Sequence, residues 1–199
     1  MIAPFDYYAP NSLEQAFELL EQHGDAARPI AGGTALINMM KLRLVRPGVV
    51  VSLRGIAELR GIARDDGYLC IPAMTTHREA ETSTLVQSAA PLLADALRHV
   101  ATIRVRNVAT LGGNLAHGDP NQDPPVALIA QGAELVVASS DGTRTIPVDD
   151  FFSDYYETVL EPGELLTDVR IPQLPAGTGT AFLKFLPRSM DDYATIAVA

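Results

Sequence analysis

The stretch that most constrains this chain is Thr110-Leu-Gly-Gly-Asn-Leu-Ala-His-Gly-Asp-Pro-Asn-Gln-Asp-Pro-Pro125. It joins paired glycines to a turn rich in Asp, Asn and Pro, and then to the apolar run Val126-Ala-Leu-Ile-Ala130. Gly112 and Gly113 can take positive φ and let a ligand approach bare backbone. Consecutive N–H groups in such a bend form a concavity suited to an anion. Asp123 ahead of Pro124 reads as an N-cap followed by Pro near the first helical position. Gly132 reads as the C′ residue that closes that short helix. A loop ending at a helix N-terminus is an anion site by geometry and dipole. A second pair, Gly32-Gly33, lies in Pro29-Ile-Ala-Gly-Gly-Thr-Ala-Leu36, and two such loops can hold one diphosphate between them. The plainer alternative is a pair of tight turns, since neither stretch is G-x-x-x-x-G-K-S/T or G-x-G-x-x-G.

Bulk properties remove several function classes. At 199 residues the chain can bury a real core as one large domain or two small ones. A net charge of -9 with 6% aromatics is the wrong footprint for nucleic-acid binding. No apolar stretch approaches the roughly 20 residues of a membrane span. The N-terminus, Met-Ile-Ala-Pro-Phe-Asp6, lacks the basic and apolar regions of a signal peptide, and one cysteine suits a reducing cytoplasm. A single cysteine also cannot supply the four ligands of an iron–sulfur cluster.

Along the chain, Ser12-Leu-Glu-Gln15 reads as a capping box opening a helix that Gly24 ends. Arg28–Ala31 reads as a strand delivering the chain into Gly32-Gly33. Leu36–Leu44 reads as a helix and Val49–Leu53 as a buried strand. A hairpin over Gly61–Arg64 and Tyr68–Ala73 turns at Asp65-Asp-Gly67. Thr76-His-Arg-Glu79 is a second capping box, and Pro91–Val100 is an amphipathic helix. Glu134–Ser139, Thr143–Val148 and Leu165–Ile171 read as strands, with a helical turn at Asp149–Phe152. Phe182–Leu186 and Tyr193–Ala199 read as strands, the second ending at the last residue, which suggests part of a longer product.

Other chemistry is poorly supported. His23, His77, His99 and His117 are scattered, with neither an H-x-x-x-H pair nor a cysteine partner for a metal. His99 reads as a helix-surface residue, and Cys70 as a small buried hydrophobe in a strand. No G-x-S-x-G elbow or Ser/His/Asp arrangement is present.

Taken together, Ala31-Gly-Gly-Thr-Ala-Leu36, Met40-Lys-Leu-Arg43, Arg106-Asn-Val-Ala-Thr-Leu-Gly-Gly-Asn114, Gly118-Asp-Pro-Asn-Gln-Asp123, Gly163-Glu-Leu-Leu-Thr-Asp-Val-Arg-Ile-Pro172, and Lys184 with Arg188 and Asp192-Tyr-Ala194 form an ordered set. The set resembles the FAD-binding medium subunit of molybdenum hydroxylases, the xanthine dehydrogenase and carbon monoxide dehydrogenase family. Met39-Met-Lys-Leu-Arg43 and Gly118-Asp-Pro120 bring it nearest the carbon monoxide dehydrogenase type.

The resemblance implies an α+β, two-subdomain FAD-binding fold of the PCMH type, with FAD extended between the subdomains. It divides the chain into an N-terminal α/β subdomain over 1–55, a second over 56–175, and the start of a truncated C-terminal segment over 176–199. By the same resemblance, Ala31, Gly32, Gly33, Thr34, Ala35 and Leu36 wrap the diphosphate, and Pro29 and Ile30 belong with them to the cofactor-binding residues. Thr110, Leu111, Gly112, Gly113 and Asn114 form the second diphosphate loop, and Asp123 hydrogen-bonds the cofactor. Leu166 and Lys184 contact it, with Lys184 a charge partner for the diphosphate, and Tyr193 lies beside the isoalloxazine. No catalytic residue and no metal ligand is expected in this chain. The molybdenum cofactor and the 2Fe–2S clusters belong to a large and a small partner subunit of a cytoplasmic hetero-oligomer. Electrons pass from the clusters through FAD to a quinone, NAD or oxygen. Ala35 replaces the Ser or Asp usual in relatives and removes a side-chain hydrogen bond. Val105 replaces Ile, one methylene smaller. Two other readings compete: a self-standing FAD-dependent oxidase, for which His117 is the candidate base, and a flavin-free structural remnant.

Overall fold

The computed structural model describes residues 2–186, 189 and 192–199. Strand β1 (Asp6–Tyr8), helix α1 (Leu13–His23), strand β2 (Ala27–Ile30), helix α2 (Leu36–Lys41) and strand β3 (Val49–Ser52) come first. β3 is buried along its whole length and takes the centre of a parallel sheet ordered β1-β3-β2, as a continuous β-branched run should. α1 lays Ala16 and Leu20 into the core beside this sheet. The Ser12 hydroxyl caps α1, but the Gln15 amide oxygen accepts from Asn11 N at 3.0 Å instead of from Ser12. α2 ends at Lys41, three residues before the expected Leu44. Arg43 turns left-handed at φ 60 and Leu44 N returns to Met39 O. β1, exposed and rich in tyrosine, carries no burial pattern to betray it; its register with β3 makes it a strand.

The larger part begins with hairpin strands β4 (Ala63–Asp65) and β5 (Tyr68–Pro72). Helices follow in short pieces: α3 (His77–Thr82), α4 (Thr84–Ala89), α5 (Pro91–Arg98), α6 (Ile103–Arg106), α7 (Leu111–His117) and α8 (Asp123–Ala130). Strands β6 (Glu134–Ser139) and β7 (Gly142–Pro147), the small hairpin β8 (Phe152–Asp154) and β9 (Glu157–Thr158), and β10 (Leu165–Pro172) complete it. The antiparallel sheet runs β4-β5-β10-β6-β7. Alternate residues Leu69, Ile71, Leu135, Val137, Val169 and Ile171 join one core with Leu93 and Leu97 of α5, Leu111 and Leu115 of α7, and Leu128 of α8. The capping box of α3 forms as expected, with Thr76 N to Glu79 Oε2 at 2.7 Å and Glu79 N to Thr76 Oγ1 at 3.1 Å. The smaller core of the N-terminal sheet takes in Met74 and Leu165, so side chains from the larger part close it.

The last strands, β11 (Leu183–Phe185) and β12 (Ile196–Val198), pair with each other. Phe182 packs with Leu92, Ala96 and Ala127, which fixes this hairpin against α5 and α8. Arg188 lies outside the described residues. Among the described residues no helix is long and apolar enough to cross a membrane.

Candidate functional site

The two glycine pairs meet in space. A Cβ on Gly113 would stand 3.1 Å from Ala31 Cβ, and one on Gly32 only 2.1 Å from the Val108 carbonyl oxygen. Each stretch therefore needs glycine so that the other can approach.

Locally they differ. Gly33 takes φ 77, as a turn residue should. Among the described residues, the N–H groups of Gly32, Gly33, Thr34, Ala35 and Leu36 donate to no protein acceptor. Residues 30–36 are half-buried, so these donors line a concavity instead of standing in bulk water. Thr110–Asn114 is not the open, positive-φ loop expected. Leu111–His117 is helix α7, and the Thr110 hydroxyl caps it by accepting from Gly113 N at 3.1 Å. Leu111 N and Gly112 N bond back to Thr75 O and Ala73 O, each at 2.9 Å. Gly112 sits where a Cβ would fall 2.4 Å from Ala73 Cβ, so its glycine serves close packing. The N–H groups from Leu111 to Asn114 are spent inside the protein, and the stretch offers a wall.

Asp123 is not the N-cap of α8 either. The helix begins at Asp123, Gln122 precedes it without a side-chain cap bond among the described residues, and Pro124 and Pro125 follow in its first turn. The freed carboxylate accepts from Lys184 Nζ at 2.7 Å, and Lys184 also donates to the His99 carbonyl at 3.0 Å. This ion pair is almost fully buried, with side chains 6% and 3% exposed. Burial pushes the Asp123 carboxyl up and Lys184 pulls it back; at 2.7 Å, with both groups buried, the ionised pair is the better description. Lys184 therefore spends its charge on Asp123 and is not free to neutralise a diphosphate. His99, expected on a helix surface, is half-buried at the end of α5 with its ring 5.8 Å from Phe182.

Unspent acceptors remain on this wall. Among the described residues Asn114 Oδ1, Gln122 Oε1 and Asp123 Oδ1 are buried without a partner, and Gln122 Nε2 donates to Asn114 O at 2.8 Å, which ties these two residues together. Buried acceptors of this kind ask for donors such as hydroxyl or imide groups. Tyr193 is held to the same region, its hydroxyl donating to Asp119 Oδ2 at 3.1 Å. Although Tyr193 as a whole is 61% exposed, burial of its hydroxyl end and the neighbouring Asp119 push it up to about 12. Asp119 was not singled out from sequence as a functional side chain, since its partner lies 74 residues away. Leu166 stands apart: its side chain is buried in the main core.

Two other groups have shifted protonation. His77, under the Thr110 cap, is pushed down to about 4, chiefly by burial, and is neutral at pH 7. Asp168 is pushed up to about 6 by burial. It lines a cleft of about 380 Å³ on the outer face of the large sheet with Cys70 and Arg170, away from the glycine stretches. Cys70 is half-buried there and not the core hydrophobe expected; burial, then Asp168, raises its thiol pKa.

The donor run, the two close approaches and the orphan acceptors fit a long anionic ligand that also carries hydrogen-bond donors, which is the chemistry of FAD. Comparison with known proteins agrees. Residues 3–174 match the family of the FAD binding domain in molybdopterin dehydrogenase. The chain is 42% identical over 200 residues to the carbon monoxide dehydrogenase medium chain of Hydrogenophaga pseudoflava, covering 100% of this chain and 69% of that one. It is 31% identical over 195 residues to the xanthine dehydrogenase FAD-binding subunit of Escherichia coli O157:H7, covering 97% and 66%. A solved carbon monoxide dehydrogenase of Hydrogenophaga pseudoflava superposes with a TM-score of 0.96 at 42% identity, over 99% of this chain and 68% of that chain. Quinoline 2-oxidoreductase of Pseudomonas putida 86 superposes with a TM-score of 0.92 at 38% identity, over 99% and 68%. The chain thus belongs to the FAD binding domain family of molybdopterin dehydrogenases, oxidoreductases in which this domain is the FAD-carrying part of the medium subunit.

Proposed function

We propose that this chain holds FAD between its two glycine stretches and relays electrons within a molybdenum hydroxylase complex. The observation that carries this reading is the run of unspent N–H donors at Gly32–Leu36, facing a wall that Gly113 keeps free of a side chain. Residues 1–55 and 56–175 act as the two FAD-binding subdomains, and 176–199 begins a C-terminal segment. Pro29 and Ile30 lead into the nest. The Gly32–Leu36 N–H groups bind the diphosphate, and Thr110, Leu111, Gly112 and Gly113 form the opposite wall. Asn114 Oδ1 and Asp123 Oδ1 accept from cofactor hydroxyl or imide groups. Lys184 fixes Asp123 and so orients the acceptor. Asp119 fixes Tyr193 as an aromatic flank. Leu166, with its side chain in the core, has only its backbone to offer.

FAD, when bound, supplies the interconversion of one- and two-electron chemistry. The chain's own part is to bind it, exclude water around it and dock partners. Those partners are a large molybdenum-cofactor subunit and a small subunit with 2Fe–2S clusters, because one cysteine cannot build a cluster here. The external acceptor is a quinone, NAD or oxygen, and the complex is cytoplasmic. His117, the base that a self-standing oxidase would require, instead packs 5.3 Å from the Tyr156 ring.

Gly113→Val tests the reading. The purified chain takes up FAD and turns yellow, whereas the variant folds but loses the flavin on gel filtration. A yellow, folded variant places the cofactor elsewhere.

A further inference from the structure

His77, Glu81 and Arg106 do not touch the proposed cofactor cleft, yet they hold one of its walls. His77 and Glu81 lie one turn apart on α3, so both face the segment that follows α5. Glu81 Oε2 accepts from Arg106 Nε at 3.1 Å in a nearly buried pair. The same guanidinium donates to Val100 O at 2.8 Å and Ala101 O at 3.0 Å, gathering the turn in which Ala101 takes φ 41. Two residues beyond Arg106, the Val108 carbonyl is the atom against which Gly32 packs. At the other end, His77 N donates to Ala109 O at 2.9 Å and Thr76 bridges Thr110. The His77 ring is 1% exposed and faces the Thr110 backbone and Arg106, but among the described residues neither ring nitrogen has a hydrogen-bond partner.

An imidazole in this state is a poor choice for packing alone. A phenyl ring would fill the same space without two orphaned nitrogens. We propose that His77, Glu81 and Arg106 are positioning residues, a clamp that sets the Val108–Gly113 wall at the spacing FAD requires, with the His77 ring completing its hydrogen bond to the Thr110 backbone when the cofactor is bound. This inference rests on the FAD reading above.

The test is a titration of the full chain with FAD, followed by flavin absorbance and fluorescence, together with the melting temperature of the FAD-free protein. His77→Phe is expected to melt at the same or a higher temperature without FAD and yet to bind FAD at least tenfold more weakly, with a less structured flavin absorption band. A residue that only packs would not separate the two readouts in this way. Arg106→Lys keeps the charge facing Glu81 but loses the fork onto Val100 and Ala101, and is expected to weaken FAD by a similar factor at a temperature where it is fully folded. If His77→Phe does not fold, Arg106→Lys decides. FAD affinity within twofold of the wild type in a folded variant overturns the clamp alone. A wild-type chain that takes up no FAD overturns the functional reading and the clamp with it.

Discussion

Both glycine stretches carry the same dipeptide, and the structure uses it in opposite ways. In Ala31–Leu36 the backbone is open: Gly33 is left-handed and the donors from Gly32 to Leu36 are unspent. In Thr110–Asn114 the backbone is closed: it is the first turn of α7, capped by Thr110 and bonded to the Ala73–Thr75 strap. Among the described residues one stretch leaves its N–H donors without acceptors, and the other spends those of Leu111 to Asn114 inside the protein. A Gly-Gly pair therefore reports only that something comes close. Whether that something is a ligand or another part of the chain depends on where its N–H groups go.

The contrast can be attacked from the larger effects downward. Asp123→Ala should cost about 3–5 kcal/mol, because it leaves the Lys184 ammonium buried without its carboxylate. Chemical denaturation of the FAD-free chain measures it, and a loss near 1 kcal/mol would instead suit a helix cap. Gly32→Ala and Gly112→Ala follow, at about 1–3 kcal/mol or more, since each Cβ meets unyielding backbone. They should part on flavin. Gly32→Ala forces the walls apart and abolishes FAD uptake, while Gly112→Ala damages the core beneath one wall and shows first as a lower melting temperature. Gly33→Ala should cost roughly 1–2 kcal/mol for its left-handed backbone, with the Ile30 and Ile37 side-chain ends giving way. Gly113 is helical and free of left-handed strain, and a Cβ there would instead meet Thr110 Oγ1 at 2.9 Å and Ala31 Cβ at 3.1 Å.

The smallest effect is in pH. His77 titrates at about 4 in the folded chain, below its ordinary 6.5, so the unfolded chain binds the proton more readily. Its contribution is complete above pH 6.5 and is lost as pH falls from there toward 4. Between pH 7 and 6 the loss is under about 1 kcal/mol. Asp168 works in the other direction. Its folded value of about 6 lies above the ordinary 3.8, so the penalty for its charge is full above pH 6 and is relieved as pH falls. Denaturation midpoints at pH 7 and 6 should therefore change little in the wild type but rise at pH 6 in His77→Phe. A His77→Phe midpoint that does not rise from pH 7 to pH 6 would contradict this role for His77.

How much of this could be read from sequence depended on range. The Thr76–Glu79 capping box and the apolar strands Val49–Ser52, Glu134–Ser139 and Leu165–Pro172 are written in neighbouring residues, and they form as expected. Helix α7 is hidden in the sequence because two glycines in a first turn argue against a helix; the reason for glycine at 112 is Ala73, which leaves no room for a Cβ there. Asp123 ahead of Pro124 had the local grammar of a cap, but a lysine 61 residues later claims the carboxylate. Asp119 with Tyr193 and Arg106 with Glu81 are likewise pairs whose members are ordinary until the fold joins them. The glycine pairs were legible as points of close approach, which the structure shows them to be, and the different fates of their N–H groups were not.

Amide hydrogen exchange of the full chain, with and without saturating FAD, tests the central claim most directly. The N–H groups of Gly32–Leu36 exchange freely without ligand and should become strongly protected on adding FAD, while those of Leu111–Asn114, already bonded, should be slow in both states and change far less. Unchanged exchange at Gly32–Leu36 when FAD is bound would contradict the assignment of that backbone as the diphosphate cradle.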